Sequence, residues 1–429
     1  MQITWIGHAC LLLETAQTRC LTDPWLSDPL FGGAVRHEPP RAHRLEDLPT
    51  PDIVCITHAH FDHFHEDTLR RLPKDVPIVI PRSPIRNIRA ELKALDFKDV
   101  RELKAWKSLT FRDLKITAIP SVGIPEEVAY VFEGEGCGVF DAADCVFEPI
   151  AAELGRRFQL DIGFIPFCGW DYSGLFGLDP EKKWKPDYAE VAKACVEMGL
   201  HYVVPAASNV YWYPEELKWL NDRVCPGKPE EFLEIIRNAG EGRMTPLPMN
   251  PGDRWVQDGA RVVPAPKRAV AGDSESEGPD WKRWLRDPRL KRYDMEGLTK
   301  VMEHFLRQRR RHLLKTLPLS PKIVLTLLAT HFEISSFYEG KYVFWDINLK
   351  RWNPVKPGPH RPSAQFGLLV EWDDLCALFD GIVDSQDLAD ACRMKMFYLP
   401  KRENYWRIFC MEFIFFTRSI ARLSPKTTG

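Results

Sequence analysis

The sequence of 429 residues lacks both a long apolar run and a large excess of charge. No apolar run reaches the ~20 residues that a membrane-spanning helix needs, so we expect no membrane segment. Lys and Arg number 58 and Asp and Glu number 60, which gives a formal net charge of −2. So balanced a chain has no overall attraction for nucleic acid or for an anionic membrane surface. We therefore expect neither as a partner.

The sequence also lacks paired cysteine motifs. Its eleven cysteines are scattered, and no two of them form a Cys-x-x-Cys pair. This pattern argues against a disulfide framework and against a cluster held by cysteines. The first residues lead directly into a predicted strand, without the apolar segment of a signal peptide. We expect a cytoplasmic protein with reduced, mostly buried thiols.

No internal repeat is visible, and the length suffices for two or more domains. Strands alternate with helices through roughly residue 260, and the strand ends converge on one set of loops. Residues 261–280 are rich in Gly, Pro and Ser, which is typical of a linker. The sequence thus predicts a larger domain at 1–260, a linker at 261–280 and a smaller α+β domain at 281–429.

The most informative segment is Thr57–Glu66, which reads THAHFDHFHE. It follows the β-branched, apolar run Asp52–Thr57, a predicted buried strand, and it precedes a predicted helix. Its candidate metal ligands are His58, His60, Asp62 and His63. Ligands on a loop at the carboxyl end of a strand occupy the place where α/β sheets carry their chemistry. Side-chain packing alone rarely requires three histidines and one aspartate at this spacing, so the segment predicts a metal site.

The spacing within this segment suggests two ions. On an extended segment, residues two apart face the same side, so His58 and His60 can reach one ion. Asp62 and His63 face a slightly different direction and can hold a second ion.

Two further residues outside that segment are candidates. Asp144 lies just past the predicted strand Gly138–Asp141, where it can bridge two ions or cap a helix over Val146–Arg156. His8 lies at a turn between two strands, where it is either an ordinary turn histidine or part of the site.

Several short motifs occur in order along the chain. They are Gly7-His-Ala-Cys10, Asp23-Pro-Trp-Leu26, His37-Glu-Pro-Pro40, the His58–His63 motif, Pro125-Glu126, Val139–Cys145 and Val204-Pro-Ala-Ala207. The His-x-His-x-Asp-His motif resembles that of the metallo-β-lactamase superfamily. The flanking motifs resemble the metallo-β-lactamase-like part of the CMP-N-acetylneuraminate hydroxylase family. The resemblance implies an α/β metallo-β-lactamase αββα sandwich at 1–260.

The chain departs from these families in two respects. It lacks the paired Cys-x-His motifs of the Rieske cluster with which the hydroxylase family begins. Hydrolytic members of the superfamily also supply a His after the strand matching Lys115–Pro120 and another after the strand matching Tyr202–Pro205. Neither His is present here. Glu126 is the natural substitute at the first place, and His8 or His37 can fold in at the second.

The ligands implied by the resemblance are those of metallo-β-lactamase-fold diiron oxygenases, in which a Glu joins the histidines. One iron is then held by His58, His60 and Glu126, and the other by Asp62 and His63, with Asp144 bridging. Carboxylates in place of imidazoles suit iron or manganese better than zinc. We expect two Fe ions, with Zn or Mn as alternatives, and we take Asp62, His8 and His37 as the candidate catalytic residues.

The function implied by the resemblance is that of a non-heme diiron monooxygenase that hydroxylates a small organic substrate. A ferredoxin and its reductase are then expected to deliver electrons. The substrate is expected among the loops at Phe31–His37 and Trp170–Phe176, and a homodimer is a further expectation. The alternative is a metal-dependent hydrolase, either a lactonase or a phosphodiesterase. A non-catalytic member with a degenerate site is the third hypothesis.

Overall fold

The structure is a computed structural model of the whole chain, and it places most of its residues. The ranges it describes are 1–82, 88–122, 127–168, 187–266, 281–316, 331–348, 353–354, 357–360 and 366–397.

The first sheet has eight strands in the order β17-β16-β1-β2-β3-β5-β6-β7. In chain order these strands are β1 (Gln2–Gly7), β2 (Cys10–Glu14), β3 (Arg19–Thr22), β5 (Ile53–Cys55), β6 (Ile78–Pro81), β7 (Val100–Leu103), β16 (Arg254–Val256) and β17 (Arg261–Val263). The pairs from β3 to β7 are parallel, and the meander β1-β2-β3 is antiparallel. The carboxyl ends of β3 and β5 therefore lie side by side.

The second sheet has seven strands in the order β15-β13-β12-β11-β10-β9-β8. They are β8 (Ser108–Phe111), β9 (Leu114–Pro120), β10 (Val128–Gly134), β11 (Cys137–Asp141), β12 (Ile162–Pro166), β13 (Tyr202–Ala206) and β15 (Thr245–Pro246). A separate two-stranded ribbon joins β4 (Val35–His37) to β14 (Val210–Trp212). This ribbon ties the loop after β3 to the loop after β13.

The two sheets pack face to face. Side chains alternate between the two faces of each strand, so each sheet directs one set of apolar side chains towards the other sheet. Ile3 and Trp5 of β1 point into the core between the sheets, and they meet Tyr130 and Phe132 of β10 there. The opposite faces are covered by helices, so both sheets are buried on both sides. The helices are α1 (Glu66–Arg71), α2 (Ile88–Ala94), α3 (Ala151–Arg157), α4 (Tyr188–Glu197) and α5 (Pro229–Ala239). The predicted αββα sandwich is confirmed.

The remaining described residues form a third sheet with helices beside it. Its five strands, in the order β20-β19-β18-β21-β22, are β18 (His331–Tyr338), β19 (Lys341–Asn348), β20 (Asn353–Pro354), β21 (Phe366–Val370) and β22 (Met394–Phe397). The helices are α6 (Met295–Thr316), α7 (Trp372–Phe379) and α8 (Ser385–Asp390). Short 3-10 helices elsewhere in the chain span Phe31–Gly33, Leu45–Asp47, Glu148–Ile150, Glu215–Leu220 and Arg283–Arg286. These strands and helices enclose a core of their own, so the α+β prediction for this region is confirmed.

The sequence and the structure differ at two places in this layout. Arg261–Val263, predicted as the start of a linker, form β17 and pair with β16. Met394–Phe397, for which the sequence predicted no strand, form the edge strand β22. The exact domain boundaries stay a prediction. Over the described ranges, no helix is both long and apolar enough to cross a bilayer.

The α+β region contacts the sandwich through tryptophans. Trp212 Nε1 of β14 donates to the carbonyl oxygen of Asp390 at 2.8 Å. Trp284, which is buried, lies against Gly32 of the sandwich. A Cβ added at Gly32 would lie 2.0 Å from Cζ3 of this tryptophan. The contact therefore requires a residue without a side chain.

Substituting Gly32 by Ala should destabilise the protein more than substituting Gly136 does. Both glycines have positive φ, +59° and +71°, but a Cβ at Gly136 meets nothing within 4 Å. Gly136→Ala should cost roughly 1–2 kcal/mol for the left-handed backbone alone. Gly32→Ala should cost about 1–3 kcal/mol more, because it overpacks the contact with Trp284. Equal losses in urea unfolding would contradict the contact.

Candidate metal centre

The loops that follow β1, β3, β5, β11 and β13 meet at one rim of the sandwich. Four residues within two positions of these strand ends have positive φ although they are not glycines, namely His8 (+52°), Asp23 (+32°), Ala143 (+45°) and Ala207 (+53°). Such backbone is uncommon and persists where surrounding structure holds it. Ala9, Ala143 and Ala207 pack together beneath the rim, and their small side chains let the loops approach closely.

The first ligand group consists of His58, His60 and Glu127, whose ligand atoms all lie within 4.8 Å of one another. Nε2 of His58 is 2.9 Å from Nδ1 of His60, and the two rings meet edge to face. Nδ1 of His58 contacts the Thr57 hydroxyl at 3.1 Å. Because this hydroxyl donates its own hydrogen to Asp23, it accepts from Nδ1 and leaves the lone pair of His58 on Nε2. That lone pair is available to an ion.

The second ligand group consists of Asp62, His63 and Asp144. Nε2 of His63 is 3.3 Å from Asp144 Oδ2 and 3.8 Å from Asp62 Oδ2. His8 lies beside this group, with Nε2 3.3 Å from Asp62 Oδ2. The ligand atoms of His8, His63 and Asp144 also fall within 4.8 Å of one another. The loops after β1, β5 and β11 carry His8, His63 and Asp144, so the structure brings three distant parts of the chain to one point of the rim.

The carboxylate of Asp144 joins the two ligand groups. Its Oδ2 atom is 3.3 Å from Nε2 of His63 and 3.7 Å from Nε2 of His58. The rings of these two histidines lie 4.0 Å apart between centroids. One carboxylate therefore faces both groups, as a bridging ligand of two ions does.

The electrostatics of the rim fit a bound cation. Burial disfavours the charged form of His63, but Asp144, Asp23 and Asp62 outweigh it and hold the pKa of His63 well above its usual value. Burial likewise opposes the charge of Asp144, yet His63 holds the pKa of this carboxyl below its usual value. Burial, with the neighbouring His63 and His60, lowers the pKa of His58 well below its usual value. His58 is thus a neutral ligand beside ionised carboxylates.

Unpartnered buried atoms support the same conclusion. Nε2 of His63 is fully buried and has no aligned hydrogen-bond partner. Such atoms are rare in proteins unless a ligand or water satisfies them. The residues of this rim therefore fit a metal ion, which would accept the lone pair of that nitrogen.

Asp23 positions the segment Thr57–Glu66, which we call the metal loop. Its Oδ1 accepts from the Thr57 backbone N–H at 2.8 Å, and its Oδ2 accepts from the Thr57 hydroxyl at 2.6 Å. Nδ1 of His63 donates to the same Oδ2 at 2.7 Å. This bond fixes the proton of His63 on Nδ1 and aims Nε2 at the ion. From the sequence alone, Asp23 was recognised only as part of a motif and this role was missed, although its position directly after a strand was the signal.

The structure brings together His58, His60, Asp62, His63 and Asp144, and it places His8 beside them. Glu126 lies outside the described residues, and its neighbour Glu127 is the buried carboxylate found with His58 and His60. The sequence did not distinguish these two adjacent glutamates.

His37 is not in either ligand group of the described chain. Its Nδ1 donates to the carbonyl oxygen of Pro39 at 2.6 Å, and its ring packs edge-on against Trp25. Trp25 in turn contacts the ring of His8. The ring of Trp25 therefore contacts both His37 and His8, and His37 lies behind Trp25 as seen from the rim. The predicted catalytic role of His37 stays a prediction.

Comparison with known proteins agrees with this fold. Residues 2–207 match the sequence model of the β-lactamase superfamily domain. This region therefore has the metallo-β-lactamase fold. The match ends just after β13, so it includes the metal loop together with His8, Asp23 and Asp144.

Curated relatives match parts of the chain. A protein of Mycobacterium tuberculosis (strain ATCC 25618 / H37Rv), named a Rieske 2Fe-2S iron-sulfur protein, is 26% identical over 278 residues, or 59% of this chain and 53% of that protein. The cytidine monophosphate-N-acetylneuraminic acid hydroxylase of Mus musculus is 31% identical over 172 residues, or 37% of this chain and 29% of that enzyme. The chain thus spans about half the length of the first of these relatives, and less of the second.

Solved structures with a similar fold include both hydroxylases and hydrolases. CmlA, a diiron β-hydroxylase from Streptomyces venezuelae, is 20% identical with a TM-score of 0.44, covering 61% of this chain and 54% of CmlA. An isothiocyanate hydrolase from Delia radicum gut bacteria is 19% identical with a TM-score of 0.45, covering 60% of this chain and 98% of that chain.

Replacing Asp23 by Asn should weaken metal binding at the second ligand group. An amide is a weaker acceptor than a carboxylate for the Nδ1 proton of His63, so Nε2 is held less firmly. We expect about a 10- to 100-fold loss of metal affinity, measured by competition with a chelator.

Asp113→Asn is the matched control for this substitution. Asp113 lies in the turn between β8 and β9, away from the rim. It accepts from the hydroxyls of Thr15 and Thr18 and from the backbone N–H of Gln17, which lie in the turn between β2 and β3. Its loss should lower stability without changing metal affinity. Equal metal affinities for the two variants would contradict the positioning role of Asp23.

Proposed function

We propose that this protein is a non-heme diiron monooxygenase that hydroxylates an organic small molecule. The observation that carries the proposal is the position of Asp144, whose Oδ2 faces Nε2 of both His58 and His63. A carboxylate so placed suits a pair of ions better than one ion. His58, His60 and Glu127 would hold the first iron, and Asp62 and His63 would hold the second.

The choice of iron rests on the chemistry of the donors. The two ligand groups combine three imidazoles with three carboxylates, and oxygen-rich sets favour iron or manganese over zinc. The relatives add support, because one is named a hydroxylase and another an iron–sulfur protein. Manganese and zinc remain the alternatives that metal analysis distinguishes.

The bound irons would supply the binding and reduction of dioxygen. Inserting one oxygen atom into a C–H bond and releasing the other as water consumes two electrons and two protons from outside the substrate. We propose that a ferredoxin and its reductase deliver these electrons. The 429 residues contain no paired Cys-x-His motifs that would hold a Rieske cluster.

The chain's own residues would hold the centre and limit the access of water. Asp23 keeps the proton of His63 on Nδ1, away from the ions. Trp25, Phe31 and Phe61 are almost fully buried in one apolar cluster beside the metal loop. Such a wall excludes water from one side of the site and strengthens the electrostatic interactions within it.

The alternative is a hydrolase that uses the same residues for attack by water on an ester or a phosphodiester, with Asp62 orienting the water. Hydrolases are among the proteins of similar fold. The two functions differ in their need for dioxygen and in their metal. Anaerobic purification with metal analysis should give about two irons per chain, and substrate turnover should stop without dioxygen. Two zinc ions with oxygen-independent ester hydrolysis would favour the hydrolase instead.

Glu127→Ala should remove the ion of the first ligand group, because it deletes the carboxylate beside His58 and His60. We expect iron content to fall by about half and turnover to fall at least about 100-fold. The comparison variant is Glu126→Ala, which tests the original sequence prediction. Full iron content in Glu127→Ala together with loss in Glu126→Ala would reverse the assignment.

A further inference from the structure

His8 is held tightly at the edge of the second ligand group. Its side chain is 1% exposed, and its backbone has φ of +52° in the turn between β1 and β2. Its carbonyl oxygen accepts from Trp5 Nε1 at 2.9 Å and from the Ala207 backbone N–H at 3.0 Å. The backbone of His8 is therefore anchored on two sides, which restricts where the ring can lie.

The hydrogen bond to its ring determines which nitrogen carries the proton. The backbone N–H of Asn209 donates to Nδ1 of His8 at 3.3 Å. An accepting nitrogen has a free lone pair, so the proton of the neutral ring lies on Nε2. His63 has the opposite arrangement, since its Nδ1 donates to Asp23 and only its Nε2 is left to bind a metal. The two histidines therefore present different groups to the rim.

Nε2 of His8 faces Asp62. It lies 3.3 Å from Asp62 Oδ2, although the contact is not aligned as a hydrogen bond in this structure. A protonated Nε2 is a donor, and a small rotation of either side chain would align it with the carboxylate. A metal ion binds a ring nitrogen through its lone pair, so it does not bind an Nε2 that carries a proton.

Binding a metal through Nε2 would require the proton of His8 to move to Nδ1. Nδ1–H would then face the N–H of Asn209, with two donors 3.3 Å apart and both buried. Closeness to His63 and Asp144 alone therefore does not make His8 a ligand.

We infer that His8 is a positioning residue that donates from Nε2 to Asp62, and that it does not ligate a metal. The inference rests on the metal centre of the proposed function, but it holds for iron, manganese or zinc alike. Asp62 is then aimed by His8 as His63 is aimed by Asp23. Asp62, His63 and Asp144 would then be the protein ligands of the second ion.

The test compares the same substitution at two histidines. In His8→Gln, the amide nitrogen occupies the place of Nε2 and can still donate to Asp62. In His63→Gln, the substitution removes a ligand. Each full-length variant is titrated anaerobically with Fe²⁺, and in parallel with Zn²⁺, and bound metal is counted per chain.

His8→Gln should bind two ions with an affinity within about threefold of the unsubstituted chain, because the donor is retained. His8→Ala should also bind two ions at saturation, but about 10- to 100-fold more weakly. His63→Gln should lose the second ion. Loss of the second ion from His8→Gln, to the same degree as from His63→Gln, would overturn the inference.

A second measurement needs no variant. X-ray absorption of the unsubstituted protein loaded with two ions counts the imidazoles bound to metal. Three imidazoles shared by the two ions would support the inference, and four would overturn it. A chain that binds no second ion at all would overturn the proposed metal centre, which is a different result from two ions with four imidazoles.

Discussion

Asp23 accepts three hydrogen bonds from the metal loop, two from Thr57 and one from His63, while it is itself fully buried. A buried carboxylate is costly unless donors surround it, and here the donors belong to the segment that carries the ligands. The loop is therefore tied to the end of β3 before any ion arrives. This attachment fixes the direction of His63 and, through the Thr57 hydroxyl, that of His58.

The other side chains of the rim depend on this arrangement. Asp144 reaches both ligand groups because its loop passes close to the loops of His8 and Ala207, where positive φ and small alanines permit the approach. The result is a rim on which the Asp144 carboxylate lies between the imidazoles of His58 and His63. This mixture of carboxylates and imidazoles is the physical reason to favour a hard, redox-active ion.

Much of this was predictable from the sequence, for identifiable reasons. The buried strand before His58 depends only on local pattern, and it is confirmed as β5. The αββα layering followed from alternating strands and helices together with the family resemblance.

Other features depend on long-range contacts that no local pattern reveals. Glu126 and Glu127 are adjacent, and choosing between them requires the path of the chain after β9. The tautomer of His8 is set by Asn209, which lies 201 residues away in the sequence. The role of Asp23 likewise depends on Thr57 and His63, which meet it only because β3 and β5 pair.

The most direct test of the two-ion centre is anomalous diffraction from crystals of the protein loaded anaerobically with iron, with data collected on both sides of the iron absorption edge. We predict two iron peaks, one beside His58, His60 and Glu127 and the other beside Asp62 and His63, with the Asp144 carboxylate between them. A single peak among the histidines, with the Asp144 carboxylate turned away from it, would rule out the two-ion centre.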